Sequence, residues 1–151
     1  MKQIKFSKTL IVTIFSIFLS IQAHAQFELK INPIAALFEV AHINVEKGIN
    51  EDMSIDLDII AGSEVLYLTP SFKYYFNPSE KGSNKFYFSA FVPIGSFEDN
   101  DFLVGIGFGA GYKFVSKKNV VFEIGTGIGR AFNDYFVPYA RFGVGYRFNK
   151  K

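Results

Sequence analysis

His42 is the one histidine beyond residue 25, and in AHINVEKG (41–48) it shares a period-two face with Asn44 and Glu46. A histidine beside an acid is the start of a general-base dyad, and with a hydroxyl it would make a hydrolase. No serine or threonine lies between Phe38 and Asp52, and Ser71 and Ser89 are remote in sequence. His42 therefore reads as an interior histidine, with hydrolysis as the alternative. Gly105-x-Gly107-x-x-Ala110 has the letters of a dinucleotide loop, but that loop needs a tight turn opening a helix, and here a strand-like alternation runs straight through. Glu98, Asp99 and Asp101 fall in one loop, with Glu64 and Asp134 on the same side of the expected fold. Their spacing lacks the EF-hand pattern, so a hydrated acidic rim is expected, with weak Ca²⁺ or Mg²⁺ bridging as the functional alternative. There is no cysteine and no zinc cluster. The expectation is no catalytic residue, no cofactor and no resident metal.

The charges that remain are arranged by period two. Glu28, Lys30, Glu46, Asp56, Asp58, Lys73, Lys113, Glu123, Arg141 and Arg147 fall on one face of their segments, opposite the apolar residues, five acids and five bases. In 102–114, Phe102, Val104, Ile106, Phe108, Ala110, Tyr112 and Phe114 oppose a face of glycines ending in Lys113. In 137–148, Phe142, Val144, Tyr146 and Phe148 oppose Arg141, Gly143, Gly145 and Arg147. Such alternation specifies half-buried strands. Eight segments carry it, near 27–34, 37–48, 53–61, 67–76, 85–94, 102–114, 120–130 and 137–148. Pro70 enters the fourth early, so full pairing there is expected only from Ser71 onward.

Two orientations are open to a barrel built from these strands. With the apolar face inward, the glycine-rich faces of the sixth and seventh segments would form a bare outer surface with few solubilising charges. With the apolar face against lipid, the ten charges line a narrow interior, where they must pair to be tolerated. The glycines then leave room for long side chains crossing an eight-stranded lumen. A charge moved to the lipid face would cost about 2–4 kcal/mol at mid-membrane. The second orientation is the one expected: an all-β, eight-stranded antiparallel up-and-down transmembrane β-barrel with a plugged lumen. Tyr74, Phe76, Phe86, Tyr112, Phe114, Tyr146 and Phe148 would form one interfacial aromatic belt, and Phe38, Tyr67, Phe72, Phe102 and Phe136 the other.

The chain's start agrees with export. Lys2, Lys5 and Lys8 precede an apolar run from about Leu10 to Ile21, and Ala23-His24-Ala25 fits the small-x-small cleavage pattern. A helical signal peptide over 1–25, cleaved between Ala25 and Gln26, leaves one barrel domain over 26–151. The whole chain has 16 basic and 14 acidic residues; without the three leader lysines the balance is 13 against 14, so its basicity is no argument for nucleic-acid binding.

Asn32-Pro33, NVEKGI (44–49), FKYYF (72–76), GAGYKF (109–114) and the terminal GVGYRF (143–148) resemble the small OmpA/OmpX-type outer-membrane barrels, and most closely a domain family of unknown function among them. The resemblance covers about Phe27 to Phe148. It implies a Gram-negative outer-membrane location with lipid and lipopolysaccharide as surroundings. It also implies assembly by the barrel-assembly machinery through a terminal signal containing Tyr146 and Phe148, here followed by three further residues. Some eight-stranded barrels hydrolyse lipid, and a lipid A deacylase-like enzyme using His42 is the alternative; that type is similar to a His-x-Ser sequence, whereas this chain has His42-Ile43-Asn44. The role expected is structural or surface-interacting, toward an unidentified surface partner, and not enzymatic. A small-ligand binder or soluble barrel is the second alternative.

Overall fold

A computed structural model describes residues 26–63, 65–80, 82–97 and 101–148. The leader through Ala25, the acidic Glu64, Glu98 and Asp99, and the tail 149–151 lie outside these, as does the side chain of Asp101. The chain is an all-β, closed antiparallel barrel of eight strands. In order these are β1 (Phe27–Ile31), β2 (Ala41–Gly48), β3 (Met53–Ala61), β4 (Leu66–Tyr75), β5 (Lys85–Phe91) with its continuation β6 (Ile94–Phe97), β7 (Asp101–Val115), β8 (Val120–Ala131) and β9 (Phe136–Phe148). Each strand pairs with its sequence neighbour, β3 with β4 and β9 with β1 included, so the sheet closes.

The register fixes the shape. Stepping across paired residues from Phe27 leads to Lys47, Ile55, Phe72, Ala90, Phe108, Ile128 and Pro138. The β9–β1 register, continued past Val144 and Ile31, sets Pro138 level with position 37, ten residues above the start. Eight strands with this shear tilt by about 40° and enclose an interior just wide enough for side chains to fill.

The strand boundaries differ from the sequence reading in three places, each at a proline. β1 stops at Ile31 and not near 34, because Asn32 and Pro33 open a helical turn, α1 (Pro33–Ala36). The Asn32 carboxamide oxygen accepts from the backbone N–H groups of Ile34 (3.0 Å) and Ala35 (3.2 Å), with proline at the first helical position. β2 accordingly begins at Ala41 and not at 37. The fifth strand is interrupted at Val92–Pro93 into β5 and β6. Both pieces keep one register against β4 and against β7, so no residue is inserted. β4 runs unbroken through Pro70 and stays in register with β3 back to Leu66, against the expectation of full pairing only from Ser71 onward. Pro70 faces the β5–β6 break, where its carbonyl accepts from Val92 N–H at 3.0 Å, so its missing donor costs no bond on the β3 side.

Alternation sends one face of every strand inward. Outside lie large apolar side chains such as Leu29, Ile55, Phe72, Phe88, Phe108 and Ile124. Among the described side chains, Lys47 and Arg130 carry charge on the outer wall near strand ends, and Lys85 is exposed at the start of β5. Tyr67 is a correction. Its parity with Thr69, Ser71, Lys73 and Tyr75 turns it inward, away from the aromatic belt in which the sequence reading set it. With Leu103 and Ala131 it forms an apolar stopper at the end of the barrel opposite the termini, backed by Ile60, Val65 and Val137. At the terminal end the β4–β5 turn folds over the opening. Ser83 N–H donates to Glu51 O (2.6 Å), Arg147 donates to the carbonyls of Gly82 and Ser83 (3.2 and 2.9 Å), and Gly82 takes the positive φ (+60°) this bend requires.

Candidate functional site

Between these two closures lies a column of ionic side chains. All ten charged residues singled out by period two are there, each buried. β1 supplies Glu28 and Lys30, β2 Glu46, β3 Asp56 and Asp58, β4 Lys73, β7 Lys113, β8 Glu123, and β9 Arg141 and Arg147. Nearest the terminal end, Arg147 holds Glu28 at 2.5 Å, and Lys113 bridges Glu28 (3.0 Å) to Glu46 (2.6 Å). Lys30 reaches Glu46 at 2.6 Å and also pairs with Glu123. At mid-height the Lys73 ammonium touches Glu46, Asp56 and Glu123 at 2.9, 2.8 and 2.6 Å. Above it Arg141 forks to Asp56 (2.5 Å), Glu123 (2.9 Å) and Asp58.

Every acid touches at least two bases or a base and several neutral donors. Burial makes this necessary, since a carboxylate removed from water without partners costs several kcal/mol or more. Three tyrosines complete the satisfaction. Tyr75 donates to Glu46 and Tyr87 to Glu123, each at 2.7 Å, and Tyr139 donates to Asp58. Lys113 and Lys73 lie over the rings of Tyr75 and Tyr87 at 4.7 and 4.9 Å, adding cation–π attraction. Ser54 donates to Glu46 at 2.6 Å, and Ser71 donates to Asp56. Parity with Lys73, Ser89 and Arg141 assigns Tyr75, Tyr87 and Tyr139 to the interior, a signal in the sequence that their aromatic type masks.

The glycines of β7 and β8 make space for the tyrosines. Gly109 pairs with Gly127 and Gly111 with Gly125, leaving one sector of the inner wall without side chains. A Cβ on Gly125 would meet the Tyr87 hydroxyl at 2.6 Å, and one on Gly127 the Phe91 ring at 3.0 Å. Gly105, Gly107 and Ala110 lie within continuous β7, with neither the turn nor the helix of a nucleotide loop.

Glu46, Asp56 and Glu123 have the proximity of a metal-binding trio. The Lys73 ammonium already stands among them, so the cation of this site is a side chain. His42 is held on both sides. Asn32 Nδ2 donates to its Nδ1 at 3.2 Å, the carboxamide being oriented by its helix-capping oxygen, so Nε2 carries the proton and donates to Asp58 Oδ1 at 2.9 Å. Ser71 gives its hydroxyl to Asp56, and Ser89 is in register with Lys73, not with His42. Asp58, His42 and Asn32 thus form a chain that ends on the α1 cap, and neither Ser71 nor Ser89 takes part in it. Tyr146 and Phe148 lie side by side on the outer wall, rings 5.1 Å apart, on the strand that closes the barrel.

No protein-family model, curated protein or solved structure matches the chain.

Proposed function

We propose that this chain is an exported outer-membrane protein, cleaved between Ala25 and Gln26, whose barrel spans the bilayer as a non-conducting structural or surface-interacting element. The observation that carries this reading is the polarity of the wall: apolar and aromatic side chains cover the outside while the ionic ones are buried within. Water-exposed apolar surface on this scale invites association, whereas lipid tails cover it without cost. Closing the sheet on itself also pairs neighbouring strands along most of their length, as a span through hydrocarbon requires. Aromatic residues at both ends of the strands, among them Phe114, Tyr146 and Phe148 at one end and Phe102 and Phe136 at the other, suit the two membrane interfaces.

In this setting the ends bearing the chain termini face the periplasm, and the opposite loops face outward toward lipopolysaccharide and any surface partner. Recognition by the barrel-assembly machinery would use the terminal strand ending at Phe148. The test is envelope fractionation of the expressed full chain, followed by gel mobility with and without heating. The expected result is a shortened chain in the outer-membrane fraction, resistant to carbonate washing, with a compact band that shifts on boiling. A full-length or carbonate-released protein would overturn the reading.

A further inference from the structure

One stretch of the wall is not zipped. β9 runs from Phe136 to Phe148, but β1 pairs with it only from Val144 to Phe148. Arg147 N–H points to β8, donating to Asn119 O, so the even-numbered residues of β9 face β1. Beyond β1, the backbone groups of Phe142 and Ala140 and the carbonyl of Pro138 therefore face a seam occupied by α1. The backbone hydrogen bonds of the α1 segment go to itself or to β2: Asn32 N–H to His42 O (3.0 Å) and Val40 N–H to Ala35 O (3.1 Å). Among the described residues none crosses to β9, so α1 and β9 can part without breaking a backbone bond.

Two buried polar atoms inside the barrel near this stretch lack a partner: Arg141 Nε, on the unzipped part of β9, and Asn44 Oδ1, on β2 level with Lys30, both residues being 4 % exposed. They come from β2 and β9, the two strands that flank β1, and their side chains meet on the same carboxylates, Asp56 and Asp58. One is an acceptor and the other a donor. A buried group left so is unfavourable, and a hydroxyl is the neutral group that can both donate to an acceptor and accept from a donor. The ionic column is already balanced, five against five, so a charged group would disturb it. The seam's outer banks are apolar: Ile34, Leu37 and Phe38 on one side, Pro138, Ala140 and Phe142 on the other.

We propose that the seam is a lateral binding site for a neutral hydroxyl-bearing amphiphile, its head group on Asn44 and Arg141 and its apolar tail along the seam. This rests on the lipid-facing reading of the wall, which fractionation tests separately. The binding test uses the refolded barrel in phosphatidylcholine nanodiscs, its fold checked by heat-modifiable mobility, with dodecan-1-ol and dodecane as probes and ¹⁵N NMR as readout. Dodecan-1-ol should shift the Arg141 Nε–H and Asn44 side-chain amide signals saturably, and dodecane should leave them in place. Ala140→Trp, which fills the seam from outside, should weaken the response about tenfold, and Asn44→Leu should abolish the Arg141 shift. If Asn44→Leu does not fold, Ala140→Trp alone decides. Unmoved Arg141 Nε–H, equal shifts with both probes, or an unaltered response in Ala140→Trp would overturn the proposal.

Discussion

Lys73 is the residue on which the interior charge balance turns, because its ammonium is shared by carboxylates from β2, β3 and β8. Deleting that cation leaves Glu46, Asp56 and Glu123 crowded together, and removing one partner of a buried pair typically costs about 3–5 kcal/mol. Lys73→Met should therefore lower the urea midpoint for loss of the compact gel band by an amount of that order. Arg130 offers the contrast. Its pair with Asp134 is 74 % and 83 % exposed at 2.7 Å, and Arg130→Ala should stay within about 1 kcal/mol of wild type. Equal destabilisation by the two would show that the interior ion pairs are not what holds the strands in register. Paired removal should be milder: Lys73→Met with Glu123→Gln deletes one charge of each sign, and should cost less than the sum of the two single changes.

At the level of strands, the glycine ladder and the tyrosines opposite form one packing unit. Gly125→Ala drives a methyl group into the Tyr87 hydroxyl, an overpacking that should cost about 1–3 kcal/mol. In a Tyr87→Phe background the hydroxyl is gone, and the same substitution should cost about 1 kcal/mol less, read as coupling in a double-mutant cycle of urea midpoints. Additive costs would mean that the glycines serve something other than room for Tyr87. Period two made the strands and the ten interior charges legible in the sequence, since parity alone decides which side a strand residue faces. It failed where another signal overrode it. Asn32-Pro33 reads as a continuing strand until the capping carboxamide and the proline at the first helical position are weighed together. Tyr67 looked like a belt residue because aromatic type was given more weight than its parity with Lys73. Which acid meets which base was beyond reach, because partners depend on a shear of ten that only the assembled register reveals.

For the whole molecule, closure is redundant, and that makes a prediction about conduction. An ion crossing the lumen would have to pass the stopper of Tyr67, Leu103 and Ala131, then the ionic column, then the β4–β5 turn tied down by Arg147. The column is the decisive barrier. Its five carboxylates are already neutralised by five fixed cations, so a mobile cation finds no unpaired charge to draw it in, and eight strands leave little space around the side chains. Wild-type protein in planar bilayers should therefore show no stepwise conductance. Tyr67→Ala with Leu103→Ala removes the stopper but leaves the column, and should also remain silent. Replacing Lys73, Glu123 and Arg141 together by serine shortens the side chains that span mid-height while removing two bases and one acid, which leaves the lumen with an excess of acid, so water should enter and small, cation-favouring steps should appear if the barrel stays closed, as its heat-modifiable band would report. Steps from the stopper variant alone would move the barrier to the apolar end, and steps from wild type would sink the sealed-lumen reading altogether.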